Sequence, residues 1–353
     1  MKQIIGIMLL IVVLTGCGSN INGHVVQSDK IKVGVIAPLT GQLAEYGIAF
    51  VNGLNLAREE LGAEALGFEF IIEDSAYDPK LAVSAFRKLT SVDKVDLVMD
   101  WGAATSEAIA PISDEVDVPF IAFSYDDTVP IVSSNAIRAW NPTTKFGKVI
   151  VDHISSEKIG IVKTELTYLN KMLEGLEKVS DADVIVIDNY NFGDNDFRTS
   201  LLKIRKENIS VVGVFLASGQ ISQFYKQAKE LGIELVTFGT DFFESQSEID
   251  ASNGLIDGVV FPNMKVSDEF RETYRLKYGD VSQITFAGNA YDMTHIVVRE
   301  INYNSTASVL SSLKEVKEFS GVLGEYNYAE DDGDRYLSQP VYLRRIENGV
   351  VVS

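Results

Sequence analysis

From residue 31 the chain repeats one pattern: a short, mostly apolar run, a turn, then a stretch whose apolar positions share one helical face. Ile31-Lys32-Val33-Gly34-Val35-Ile36 is β-rich and is ended by Pro38 and Gly41. Phe50, Leu54, Ala57 and Leu61 then recur at helical spacing. The same reasoning predicts strands over 68–72, 95–99 and 119–122, with helices through Leu81, Ala85 and Leu89 and over 105–115. A second series predicts strands over 159–162, 184–187, 211–215 and 235–238, separated by helices over 168–178, 196–206 and 221–231. Helices over 269–277 and 287–301 follow, and the apolar runs 341–345 and 350–352 flank Asn348-Gly349, a hairpin signal.

Strands that are mostly apolar, alternating with amphipathic helices, imply parallel sheets covered on both faces. Two such series of similar size, with no Pro- or Gly-rich linker between them, predict an α/β fold of two doubly wound parallel-sheet lobes. A chain of 353 residues, 46% of them hydrophobic, is long enough to bury the cores of about two domains.

The first residues break the pattern. Met1-Lys2-Gln3, an apolar run over 4–14 and then Thr15-Gly16-Cys17 make a secretory signal over 1–16, too short to span a bilayer. Leu14-Thr15-Gly16-Cys17 resembles a bacterial lipobox, which implies lipidation of Cys17, the only cysteine; a buried structural thiol is the alternative. Residues 17–29 are polar and aperiodic and read as a flexible tether to the membrane. With no second cysteine, packing alone must hold the exported domain. A formal charge of −19 argues against nucleic acid or anionic headgroups as partners, since both need basic surfaces. Acidity of this kind ordinarily serves solubility, but acids in a cleft would favour a cationic ligand.

Catalytic chemistry is sparse. The three histidines, His24, His153 and His295, stand in no metal-ligand spacing, and the chain lacks a Gly-x-Ser-x-Gly elbow, a Walker loop and a Gly-x-Gly-x-x-Gly after its first strand. No enzyme activity, cofactor or metal is expected. Ligands of open α/β sheets bind beyond the C-terminal strand ends. In the first lobe these ends carry 39–46, Trp101-Gly102-Ala103-Ala104-Thr105-Ser106 and Phe123-Ser124-Tyr125-Asp126-Asp127; in the second, Ala217-Ser218-Gly219 and Gly239-Thr240-Asp241. The segment 102–106 precedes a helix, whose free amides suit a carboxylate; equally, Thr105 or Ser106 could simply cap that helix.

These residues also carry a resemblance. Ile31 to Gly41 with Tyr46-Gly47 and Asn52-Gly53, Asp74 with Asp78-Pro79, Lys206-Glu207-Asn208-Ile209, Ala290-Tyr291-Asp292 and Gly333-Asp334 resemble type I periplasmic binding proteins. Within them, the likeness is to the branched-chain amino acid receptor (leucine-binding-protein-like) family of ABC importers. The resemblance implies two lobes joined by three crossovers and closing on a ligand. It implies a first lobe over 30–140 and 262–339, and a second over 141–261 and 340–353. The crossovers would fall at Asn141-Pro142, Phe261-Pro262 and Gln339-Pro340, where proline favours extended backbone.

Carried over by position, Tyr46 covers the ligand and Trp101 and Gly102 flank its side chain. Ala103 stands at the carboxylate-binding serine, leaving the amides near Ala104 and Thr105. Ser124 stands at the carbonyl that meets the ammonium, with Tyr125 beside it and Asp126 at a family threonine. Ala217 replaces a tyrosine, and Asp241 matches the ammonium-binding acid. Asp126 near Asp241 would put two negative charges in one cleft, so an ammonium-bearing ligand is expected, an amino acid or an amine; the alternative is that Asp126 and Asp127 cap a turn. The expected role is a lipid-anchored extracytoplasmic receptor that hands a small solute to ABC permease subunits. A sensor reporting to a membrane receptor, an enzyme on the same scaffold and a structural envelope protein are the competing readings.

Overall fold

The computed structural model of the chain describes residues 30–279 and 281–352; the expected signal peptide, Cys17 and the tether lie outside the described residues. The first α/β series runs β1 (Ile31–Ala37), α1 (Ala44–Leu61), β2 (Phe68–Asp74), α2 (Pro79–Lys88), β3 (Leu97–Trp101), α3 (Ala103–Val116), β4 (Phe120–Phe123), α4 (Val129–Val132) and β5 (Ala136–Arg138). The second runs α5 (Thr143–Val151), β6 (Lys158–Thr164), α6 (Thr167–Val179), β7 (Asp183–Tyr190), α7 (Arg198–Lys206), β8 (Val211–Phe215), α8 (Ile221–Glu230), β9 (Val236–Gly239), α9 (Gln246–Ser252) and β10 (Val260–Asn263). The chain then returns through α10 (Asp268–Tyr278), α11 (Ile284–Arg299), α12 (Thr306–Glu315), β11 (Phe319–Gly321), β12 (Gly324–Asp331) and β13 (Asp334–Ser338), and ends with β14 (Tyr342–Glu347) and β15 (Val350–Val352).

Two sheets result, ordered β11-β12-β13-β5-β4-β3-β1-β2 in the first lobe and β15-β14-β10-β9-β8-β6-β7 in the second. Strands β1–β5 and β6–β10 pair in parallel, and each lobe repeats the spatial order 2-1-3-4-5. That order places a topological switch point between β1 and β3 and another between β6 and β8, where such sheets bind ligands. All five residues of β3 and all five of β8 are buried, as expected of strands covered by helices on both faces. Helix α2 starts where Asp78 accepts from the amides of Lys80 (2.7 Å) and Leu81 (3.1 Å), with Pro79 at the first helical position. Helices α1 and α11 pack closely because Gly53 has no side chain: a Cβ there would sit 1.9 Å from the Ala287 carbonyl oxygen.

The chain passes between the sheets at 139–142, 264–267 and 339–341. Pro262, expected at a crossover, instead lies within β10 and pairs antiparallel with Leu343, so the second passage starts after Asn263. Strand β3 begins two residues later than expected and α3 two earlier, because the buried stretch continues through Trp101 and the helix opens directly after Gly102. Crossovers one and three are bound together. Asn141 Nδ2 donates to Gln339 Oε1 (3.1 Å), Gln339 N returns a bond to Asn141 Oδ1 (3.0 Å), and Lys145 Nζ donates to the Gln339 carbonyl (2.6 Å). Among the described residues no helix is long and apolar enough to cross a membrane.

Candidate functional site

The two switch points face each other across the crossovers and enclose a cavity of about 50 Å³. From the first lobe come Leu43, Tyr46, Tyr77, Trp101, Gly102, Ala103, Phe123, Tyr125 and Phe286; from the second come Leu166, Tyr168 and Phe242. Eight of these twelve are aromatic, and none is a lysine, arginine or histidine. Rings from the two lobes already touch: Tyr125 and Tyr168 have centroids 4.1 Å apart, and Tyr46 and Phe242 6.1 Å. The jaws are therefore shut. A water needs roughly 10–15 Å³ of such space, so the closed cavity holds a few waters or a small organic group. A larger depression, about 820 Å³, lies under the second lobe at the starts of β8, β9 and β10 (Val211, Val236, Val260). That is the end of a parallel sheet opposite to the one that builds ligand sites.

One acid stands behind the aromatic wall. Asp241 follows β9 and is buried; its Oδ2 accepts from the Tyr125 hydroxyl (3.2 Å) and its Oδ1 from the Tyr168 hydroxyl. Burial pushes its carboxyl up to about 6, against the two hydroxyl donors that favour the anion. Burial also holds both tyrosines well above their usual range, so each stays a protonated donor. Ion pairs cross the mouth of the cleft as well: Lys171 of α6 reaches Asp126 (3.4 Å) and Asp127 (3.6 Å), and Lys178 reaches Asp127 (3.3 Å). Two lobes meeting around a small aromatic box, with contacts from both, make a geometry suited to enclosing a small solute.

The comparison with known families agrees. Residues 30–350 match the model of the family described as periplasmic binding protein. The chain belongs to the periplasmic binding protein family. It is 25% identical over 349 residues to the Leu/Ile/Val-binding protein BraC3 of Rhizobium johnstonii, covering 92% of this chain and 93% of that one. Its fold is similar to that of the branched-chain amino acid transporter substrate-binding protein LivJ of Streptococcus pneumoniae, solved with isoleucine: TM-score 0.77, 22% identity, 92% and 98% of the two chains. It is equally similar to an ABC transporter solute-binding protein of Rhodopseudomonas palustris solved with 3,4-dihydroxybenzoic acid: TM-score 0.77, 21% identity, 92% and 95% of the chains.

In this binding protein the residues singled out from sequence divide into two groups. Tyr46, Trp101, Gly102, Ala103 and Tyr125 line the cavity, and Asp241 is bonded to its wall. The others point elsewhere. Thr105 Oγ1 and Ser106 Oγ both donate to Asp100 Oδ2 (2.8 and 2.7 Å), turning inward to a buried carboxyl that burial pushes up to about 7. Ala104 adjoins the lining residues without being one of them. The carbonyl of Ser124 accepts from Arg138 Nη1 (3.1 Å) and its hydroxyl from the Asp126 amide (3.0 Å). Asp126 Oδ1 accepts from the amide and hydroxyl of Thr128 (3.0 and 2.8 Å) and meets Lys171, so it braces a turn and the rim and does not line the cavity. The expected pair of cleft acids is thus one acid, Asp241. Ala217 is buried, its amide donating to Thr164 Oγ1 (3.1 Å).

The reading from sequence missed Tyr77, Tyr168, Phe242 and Phe286. Three of them had a signal, since Tyr77 follows β2, Tyr168 follows β6 and Phe242 adjoins Asp241, all at C-terminal strand ends. Phe286 lies in α11, which nothing in the local pattern ties to a strand end.

Proposed function

We propose that this periplasmic binding protein is the solute receptor of an ABC importer, capturing a small ammonium-bearing metabolite by hinge closure. The observation that carries the reading is Asp241: a buried carboxylate set against an aromatic box whose wall holds no cation. A positive ligand supplies the missing charge, and the faces of Tyr46, Trp101 and Phe242 attract it through their ring quadrupoles. Aromatic carboxylates, which some relatives of this fold hold, find no positive side chain on this wall. The ligand meets Tyr168 and Phe242, with Asp241 behind them, on one lobe and Tyr46 and Trp101 on the other, so binding favours the shut state that a permease would recognise. The Leu14-Thr15-Gly16-Cys17 sequence supports export and a lipid anchor at Cys17, holding the receptor on the outer face of a membrane.

A thermal-shift screen of amino acids, amines and aromatic acids tests this. A true ligand at 100 times its dissociation constant stabilises the protein by about 2.7 kcal/mol. Asp241→Asn is expected to weaken binding at least 30-fold. Stabilisation by benzoate in place of any ammonium compound, or full affinity in Asp241→Asn, rules the reading out. Mass spectrometry of the mature N-terminus tests the anchor: a diacylglyceryl group on Cys17 is expected, and an unmodified Cys17 overturns it.

A further inference from the structure

The start of α3 would ordinarily suit a carboxylate. The helix opens straight after β3 through Gly102, whose φ of +135° only glycine adopts readily, and its first amides, at Ala103 and Ala104, have no intrahelical partner. Here those amides are already faced by the hydroxyl oxygen of Tyr77. The Tyr77 ring lies across Gly102, where an added Cβ would sit 2.7 Å from its Cε2, and packs against Trp101 with centroids 6.0 Å apart.

The loop that presents Tyr77 is built to hold it there. Ala76 and Tyr77 have φ of +46° and +59°, a left-handed conformation that a bulky side chain avoids unless its surroundings impose it. Asp74 Oδ1 accepts from the amides of Ala76 and Leu39 (2.8 Å each), the buried Ser75 Oγ from the Tyr77 amide (3.3 Å), and the Ser75 carbonyl from the Asp78 amide (2.8 Å). Asp78 then caps α2. Every residue around Tyr77 is fixed by a bond of its own, and the side chain is left to project into the cavity.

We propose that Tyr77 occupies the carboxylate position of this cleft, so that the protein selects organic cations lacking a carboxylate, amines or quaternary ammonium compounds, over the matching amino acids. This rests on the ammonium reading above and narrows it. A carboxylate entering the closed cavity meets the Tyr77 ring where the α3 amides would have been, finds no lysine or arginine, and lies against the tyrosine wall that Asp241 backs. Burying it there without a partner is unfavourable. An ammonium group alone meets the faces of Tyr46 and Trp101, with the carboxylate of Asp241 behind the tyrosine wall.

Calorimetric titration of the purified protein at pH 7.5 with pairs that differ by a carboxylate tests the proposal: 3-methylbutylamine against leucine, phenethylamine against phenylalanine, tetramethylammonium against betaine. In at least one pair the carboxylate-free member is expected to bind at least 100-fold more tightly. Tyr77→Ala exposes the α3 amides and is expected to narrow that preference at least tenfold by strengthening the amino-acid member. Tyr77→Phe keeps the ring and folds if Tyr77→Ala does not; it is expected to retain the preference, since the ring still bars the amides. An amino acid that binds as well as its amine overturns the role of Tyr77 while leaving the ammonium reading intact. Silence in all three pairs, or binding of benzoate in their place, overturns both.

Discussion

Tyr125 and Asp241 stand on opposite lobes, and the Tyr125 hydroxyl donates to Asp241 Oδ2 across 3.2 Å. The bond joins the jaws at the wall of the cavity, while Lys171 and Lys178 join them at the rim. Tyr125→Phe leaves a buried carboxylate oxygen without its donor in the shut state, at a cost of about 1–3 kcal/mol. In the open state water satisfies both groups. The variant is therefore expected to populate the open form without ligand, with a larger radius of gyration by small-angle X-ray scattering than the wild type, and to close when ligand is added. A profile identical to wild type would mean that the rim ion pairs alone hold the lobes together.

The same carboxyl makes ligand binding depend on pH. Asp241 is pushed up to about 6 by burial, and a cationic ligand binds only its ionised form. Affinity for the ammonium ligand is expected to be flat above about pH 6.5. Below about pH 6 it falls about tenfold per unit, since each binding event must first expel a proton. Titration calorimetry from pH 5 to 8 reads the slope directly, and Asp241→Asn should remove it. A slope that survives in Asp241→Asn would assign the proton to another group.

How much of this was open to reading from the chain differs between fold and site. The alternation was legible because β1, β3 and β8 are largely buried on both faces, so each is a mostly apolar run between turn residues, broken only by Lys32 and Asp100. Short elements escaped: β5 is three residues long and ends in Arg138, a charged residue that carries no strand signal. The site was harder. Asp126 reads as a cleft acid because nothing local shows that Lys171, on another lobe, folds over to meet it. Tyr77, Tyr168 and Phe242 are hard to tell from core aromatics, because a binding box made of rings has the same composition as a core. What separates them is which side of the strand ends they face, and that is fixed only when both sheets are in place.

Arg138 and Asp334 form the buried pair of the first lobe. Arg138 Nε donates to Asp334 Oδ1 (2.8 Å), Nη2 reaches Oδ2, and Nη1 donates to the carbonyls of Ser124 (3.1 Å) and Trp140 (3.4 Å), tying β13 to the first crossover. Removing one partner of such a pair strands the other charge, at about 3–5 kcal/mol, whereas replacing both with apolar groups is far less harmful. Arg138→Met is therefore expected to lower the urea midpoint sharply, and Arg138→Met combined with Asp334→Leu to recover a large part of the loss. A double variant no better than the single one would show that the carbonyl bonds, and not the ion pair, carry the stability.

Four buried carboxyls, Asp100, Asp241, Asp292 and Asp334, set the pH dependence of folding, each raised by burial. Burial pushes Asp100 and Asp292 up to about 7 and Asp241 up to about 6, all above the ordinary 3.8 that they regain on unfolding. Between about pH 4 and 7 the folded protein thus binds more protons than the unfolded chain, and stability falls as pH rises through that window. Asp74 and Asp114, held below the usual range by their hydrogen bonds, act in the opposite sense but only near and below pH 4. His295, held low by burial, opposes the trend between its folded value and 6.5, one group against four. The melting temperature is expected to be higher at pH 5 than at pH 8 by several degrees, at on the order of 2 °C per kcal/mol for a chain of this size. Asp100 offers the cleanest variant: its Oδ1 has no hydrogen-bond partner, and an amide at that position keeps an oxygen for Thr105 and Ser106. Asp100→Asn should match or exceed wild type at pH 8 and lose that advantage at pH 5. Differential scanning calorimetry at the two pH values decides it, and a variant that is uniformly less stable at both would show that Asp100 is ionised in the folded protein.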